Sequence, residues 1–243
     1  MEVEQLYKLI LYKINMTDKS YIDVVYGSSK KPFTVYPEKL IKLLAKKYSL
    51  KKESKILEMG CGRGEFLNEF TKLGMNGFGI DLSNFAKDYC DNAEIKVVDI
   101  SKDPVPYTDN SFDIVFSKSF IEHFYYPEEI FKEAYRILKP SGILINLTPE
   151  WNYIYRSFYD DYTHRTPFTK KSLEDIHHVV GFKNVEVQSF KQLPILWSDN
   201  FIIRNTFSIL SELTRLLVPE NFRMTNKWLR FSKELMLLSS AIK

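Results

Sequence analysis

The stretch Lys55-Ile-Leu-Glu-Met-Gly-Cys-Gly-Arg-Gly-Glu-Phe66 constrains this chain most. An apolar run enters three alternating glycines, and the pattern from Phe66 to Leu73 has helical spacing. That order spells strand, tight loop, helix. Glycine lets the backbone turn sharply and approach a ligand with no side chain between them. The helix start beyond it offers unpaired N–H groups that favour an anionic group. Glu65 stands where a dinucleotide fingerprint needs spacing for its third glycine, and Glu58 repels a pyrophosphate but suits a cationic amino group. Taken alone, the triplet also fits a tight turn without a ligand.

Short apolar runs and helical patterns alternate after this point. Ile56-Leu57, Asn76–Ile80, Ile95–Ile100, Ile114–Ser117 and Ile143–Leu147 read as strands. Phe66–Leu73, Phe85–Asp91 and Glu128–Leu138 read as helices between them. Such alternation predicts a doubly wound α/β fold, a mostly parallel sheet with helices on both faces. Its ligands bind beyond the carboxyl ends of the strands. Upstream, residues 1–50 form a helical extension, with Leu6, Leu9, Ile10 and Ile14 in one amphipathic run. A loop at Gly27–Pro32 precedes a second run that starts at Pro37 and continues through Leu40, Leu43, Leu44 and Tyr48. Residues 51–243 form the main domain. Toward the end, Leu173–Val180 is helical, Val185–Val187 alternates like a strand, and Leu235–Ile242 closes the sheet as an antiparallel strand. Residues 191–234 are then a helical cap inserted before that last strand.

Composition removes several classes. With 44% hydrophobic and 27% charged residues among 243, the chain is neither disordered nor fibrous. No run of about 18 uncharged apolar residues predicts a membrane span. The acidic start, Met1-Glu-Val-Glu-Gln, does not read as a secretory signal. Cys61 and Cys90 read as two reduced thiols of a cytoplasmic protein. A net charge of +3 does not predict a nucleic-acid partner.

Two more acids follow the glycine loop. Asp81 ends the second strand, where a carboxylate accepts from both ribose hydroxyls, and Asp99 ends the third, where one accepts from an adenine amino group. Each alone also fits a solvated strand end. Together with Glu58, Pro106-Tyr-Thr-Asp-Asn-Ser-Phe-Asp-Ile-Val115 and Leu138-Lys-Pro-Ser-Gly-Ile-Leu144, they resemble the class I S-adenosylmethionine-dependent methyltransferases of the small-molecule type called type 11. The resemblance covers about Lys55 to Leu147. It implies a Rossmann-like, seven-stranded sheet with S-adenosylmethionine as cofactor. It also implies that Glu58, Gly60, Cys61, Gly62 and Gly64 hold the methionine portion. Asp81 and Leu82 take the ribose side, Asp99 and Ile100 the adenine, and Ser117 lies beside the methionine end.

Methyl transfer is an in-line displacement, so holding the acceptor close and aligned carries most of the catalysis. The segment Phe116-Ser-Lys-Ser-Phe-Ile-Glu-His-Phe124 lacks the Asn/Asp-Pro-Pro-Tyr/Phe tetrapeptide of enzymes that methylate nucleobase or glutamine nitrogen, which favours an oxygen acceptor. Glu122-His123 resembles a pair common in the family, including ubiquinone-type O-methyltransferases, where it is linked to metal binding. Two adjacent ligands do not make a coordination sphere, and no metal is assigned. His123 reads either as a base or as packing beneath the cofactor. The stretch Tyr159-Asp-Asp-Tyr-Thr-His-Arg-Thr-Pro-Phe-Thr169 is dense in reactive groups, and similar Asp-x-x-His-x-x-Pro segments occur in methyltransferases of polysaccharide and natural-product enzymology. His164 with Asp160 or Asp161 as its orienting carboxylate is a candidate base; the alternative is a histidine that fixes local turns. Trp151, Tyr159, Tyr162 and Arg165 are the candidate contacts to a small acceptor, a sugar or glycan precursor among them. His177 and His178 sit on a surface helix with no role. The basic and aromatic stretch 223–233 is either a helix closing the pocket or a peripheral membrane contact. A small-molecule N-methyltransferase, a nicotinamide dehydrogenase and a non-catalytic cofactor binder stand as rivals.

Overall fold

The computed structural model describes residues 34–243 apart from 84–86, 88–89, 91 and 223–225. The run from Leu6 to Ile14 and the loop at 27–32 lie outside the described residues, as does most of the helix expected at 85–91. The first described helix, α1 (Tyr36–Lys47), buries Leu40, Ile41 and Leu44.

Seven strands follow: β1 (Lys55–Met59), β2 (Asn76–Asp81), β3 (Ala93–Val97), β4 (Phe112–Lys118), β5 (Leu138–Pro149), β6 (Lys183–Phe190) and β7 (Met236–Ile242). They form one sheet in the order β3-β2-β1-β4-β5-β7-β6. The first five are parallel, and β7 runs antiparallel to both β5 and β6. The third strand ends at Val97, short of the expected Ile100. Val98 still donates to the Asp81 carbonyl, but Asp99 then turns the chain by accepting from Ser101. The direction of winding reverses between β1 and β4, which opens a crevice beyond their carboxyl ends.

Each covering helix has a readable cause. α2 (Glu65–Lys72) starts directly after Gly64 and buries Leu67 and Phe70. Phe70 meets Phe116 of β4 edge-on at 5.3 Å, and burial of such a ring stabilises by roughly 1.5–3 kcal/mol. α3 (Pro127–Ile137) opens on a proline, whose missing N–H costs nothing at a helix start, and buries Ile130, Phe131, Ala134 and Ile137. The chain leaving β5 makes a short helix, α4 (Trp151–Ile154). α5 (Lys170–Val180) begins at the expected cap, with Thr169 accepting from the Ser172 N–H and Ser172 accepting from the Thr169 N–H, and ends at Gly181 with φ of 107°. His177 on α5 departs from the sequence reading. It is fully buried, its Nδ1–H donates to the Leu173 carbonyl, and its ring meets Phe131 edge-on. Spacing of four from Leu173 puts it on the core face; polarity alone had suggested the surface. Between β6 and β7 lie α6 (Phe201–Leu217) and α7 (Lys227–Lys233), both capped by asparagine, Asn200 and Asn226.

Candidate active site

Three parallel strand ends and the loops beyond β4 and β5 meet at the crevice. The glycine loop is held by its neighbour strand: Gly60 and Cys61 donate N–H bonds to the Ile80 carbonyl at 2.8 and 3.1 Å. Gly60, Gly62 and Gly64 have φ of 73°, 52° and 72°, a region that side chains with a Cβ rarely adopt. Nothing lies within 4 Å of where a Gly62 Cβ would sit, so that face of the loop is open to a ligand. At Gly60 the reason is close approach, because a Cβ there would lie 2.2 Å from the Phe120 ring.

Glu58 is the electrostatic centre of this half. It is 2% exposed, and its Oε2 is buried with no partner. Burial, with Asp81 and Glu65 adding like charge, pushes its carboxyl well above the usual range; the Leu67 N–H opposes this. A cationic amino group is what such an oxygen lacks, and S-adenosylmethionine carries one, so the residues present fit that cofactor. Asp81 is aligned by three donors: the Gly62 N–H on Oδ2 at 2.8 Å, and the Ser83 N–H and hydroxyl on Oδ1. A carboxylate accepts about four bonds, leaving room on Oδ2. Asp99 lies just beyond β3, accepting from Ser101 and pairing with Lys102 at 2.6 Å, with Ile100 half-buried beside it. Leu82 is exposed at the end of β2. Cys61 is buried, and burial pushes its thiol up. The Ser117 side chain turns the other way: it donates to Asn146 at 2.7 Å in a tiny cavity beneath α3, leaving only its backbone toward the crevice.

The acceptor half is built by two loops tied together. After β4, Ser119 has φ of 51° and the chain makes a 3₁₀ turn, Ile121–His123. The Glu122 carbonyl accepts from the Arg165 and Thr166 N–H groups at 2.8 and 3.0 Å, and the Thr166 hydroxyl donates to the Phe124 carbonyl. These bonds bring His123 and His164 together, ring centres 4.9 Å apart. The His164 Nδ1–H donates to the Phe158 carbonyl at 2.6 Å, which leaves the lone pair of the neutral ring on Nε2. The Thr163 hydroxyl donates to Asp161 at 2.6 Å and therefore accepts from the His123 Nδ1–H at 2.9 Å. Asp161 thus orients His123 through Thr163, where the sequence had paired it with His164; the carbonyl of Phe158 has taken the His164 nitrogen instead. Asp160 is exposed.

Charge around the pair is graded. Burial, then the neighbouring His164, holds His123 below its ordinary value, with Asp161 opposing. Burial pushes Asp161 up, but hydrogen bonds from Thr163 and the charge of the two nearby imidazoles outweigh it and hold the carboxyl low. Glu122 is fully buried and pushed up to about 7 by burial; its Oε2 accepts from Thr148 while Oε1 has no partner. Donor atoms of Glu122, His123 and His164 all lie within 4.8 Å of one another, a set able to hold a metal ion. The aromatic contacts gather here as well. Trp151 packs on Phe158, Tyr155 and Tyr159, and Tyr159 and Tyr162 are exposed. Arg165 donates to the Tyr162 carbonyl and lies 5.2 Å from the ring of Tyr125, an exposed residue that sequence reasoning passed over. Thr163 was also missed as a working group, and Glu122, noted only as half of a Glu-His pair, was not expected to be buried. Only the fold reveals that burial and the Thr163 bond, since neither burial nor a bond across 40 residues has a local signature.

Comparison with known proteins agrees with this geometry. The family described as "Methyltransferase domain" matches residues 57–146. A sterol 24-C-methyltransferase of Schizosaccharomyces pombe is 30% identical over 110 residues, 41% of this chain and 29% of that protein. An uncharacterized protein of Methanocaldococcus jannaschii is 32% identical over 162 residues, 65% of this chain and 67% of that one. The chain therefore spans less than a third of the sterol enzyme and two thirds of the archaeal protein. Among solved structures, a SAM-dependent methyltransferase of Archaeoglobus fulgidus superposes with a TM-score of 0.61 at 22% identity, over 92% of this chain and 98% of that one. At that identity the likeness is one of fold.

Proposed function

This chain belongs to the class I S-adenosylmethionine-dependent methyltransferases, and we propose that it methylates a hydroxyl of a small acceptor, such as a sugar or glycan precursor. When bound, the cofactor supplies a methyl group activated by a sulfonium. Glu58 binds its amino group, the α2 start and the Gly60–Gly64 loop its carboxylate, and Asp81 its ribose. Leu82 lies on the ribose side beside Asp81, Asp99 and Ile100 border the adenine, and the Ser117 backbone the methionine end.

The observation that carries the oxygen-acceptor reading is the histidine pair, drawn from separate loops, each ring with its Nδ1 committed. His123 takes the hydroxyl proton on Nε2, and the resulting imidazolium is stabilised through Thr163 by Asp161. His164 holds the acceptor hydroxyl in line. Trp151, Tyr159, Tyr162 and Arg165 bind the rest of the acceptor; exposed rings beside a guanidinium suit a hydroxylated, flat-faced molecule. One relative is named for methylation of carbon, so oxygen rests on the histidines and not on relationship. Two buried cysteines outside any disulfide support a cytoplasmic setting.

The test is a pooled screen of hydroxylated metabolites, including monosaccharides and sugar nucleotides, with methyl-labelled cofactor. We expect one class of product carrying an O-methyl group. Label on nitrogen or carbon would reject the acceptor assignment.

A further inference from the structure

The stretch 223–233 that drew attention in the sequence is not where the apolar surface of the cap lies. Among its described residues, the Trp228 Nε1–H donates to Thr214 of α6 at 3.0 Å and its ring meets Phe207 edge-on, while Lys233 is buried. α6 itself is inverted. Its buried residues are Ser211 and Thr214, and Phe201, Ile202, Ile209, Leu213, Leu216 and Leu217 are 47–76% exposed. At 3.6 residues per turn these six share one broad face, whose single charged residue, Glu212, is paired with Lys191 and Arg215. A helix ordinarily turns such a face to the core, and contiguous apolar patches of this kind mark interaction sites.

We propose that this face of α6 lies on an anionic lipid bilayer, in the plane of its interface. Charge selects that occupant. Residues 198–233 contain six Lys or Arg against three Asp or Glu, a net +3 that equals the net charge of the whole chain. Exposed Arg204 of α6 stands at the border of the patch, as expected of an interfacial helix with a basic edge. No helix among the described residues is long and apolar enough to cross a membrane, so the contact is peripheral. Arg215 of α6 stacks 5.2 Å from Tyr153, beside the candidate acceptor aromatics, so a docked cap would set the active site near the lipid surface.

The test is co-sedimentation of the full-length protein with mixed phosphatidylcholine and phosphatidylglycerol vesicles, read without cofactor or turnover and so independent of the proposed reaction. Wild type should bind the mixed vesicles and be released by salt. Leu213→Glu and Leu217→Glu should each lower binding by about tenfold or more, with unchanged melting temperature and cofactor affinity. Wild type remaining in the supernatant, or variants that bind equally well, would overturn the proposal. Equal binding to phosphatidylcholine alone would overturn the assignment to an anionic surface. A wild-type dimer by light scattering that the variants convert to monomer would assign the face to a second copy instead.

Discussion

At Glu58 a carboxylate oxygen is buried without a partner, and its own burial together with Asp81 and Glu65 keeps it from ionising easily. The folded group holds its proton above the pH at which the unfolded one loses it, so this residue destabilises the protein increasingly as pH rises above about 4.5. Glu58→Gln should therefore raise the melting temperature at neutral pH while weakening S-adenosylmethionine about tenfold to a hundredfold by calorimetry, the worth of one charge-assisted bond. A parallel loss of both stability and affinity would show that Glu58 is structural. Thr163 is the other informative residue, because it connects Asp161 to His123. Thr163→Val keeps the shape and removes the hydroxyl. Turnover should fall roughly tenfold to a hundredfold with cofactor affinity intact, and unaltered turnover would remove the relay from the mechanism. At this scale the sequence located three acids at or just beyond strand ends, Glu58, Asp81 and Asp99, although the third strand stops at Val97. It could not show that His123 and His164 meet, nor which of them Asp161 serves.

Elements were legible where a period survives. The alternation of strands and helices located β1 to β5 and the helices α2 and α3, and Thr169 marked the start of α5 by its capping chemistry. Misreading came where side-chain polarity and position disagree. His177 looks like a surface residue, yet α5 presses it against Phe131 and β7. Burial holds its imidazole down to about 4. Between roughly pH 6.5 and 4 the unfolded chain takes up a proton that the folded chain refuses, so stability is present above 6.5 and drains as pH falls through that window. The difference corresponds to about 3 kcal/mol. His177→Gln should flatten the melting temperature against pH there; an unchanged slope would place the acid sensitivity elsewhere. In α6 the converse holds: an apolar repeat of the kind a helix ordinarily turns inward is open.

Across the whole molecule, the order β3-β2-β1-β4-β5-β7-β6 is not written in any local pattern. Resemblance implied seven strands but not their order, and the physical reason for it is the right-handed crossover of each parallel unit, which winds the chain outward on both sides of β1. That winding gathers Glu58, Asp81, His123 and His164 at one edge from four separate stretches of chain. The most direct measurement of what the edge does is single-turnover methyl transfer to the acceptor found by screening, compared for wild type, His123→Ala and His164→Ala. The expected result is an O-methyl product whose rate of formation drops about 10²–10⁴-fold in the His123 variant, with S-adenosylhomocysteine bound as tightly as before. Undiminished transfer in both variants, or a methyl group on carbon or nitrogen, would contradict the account.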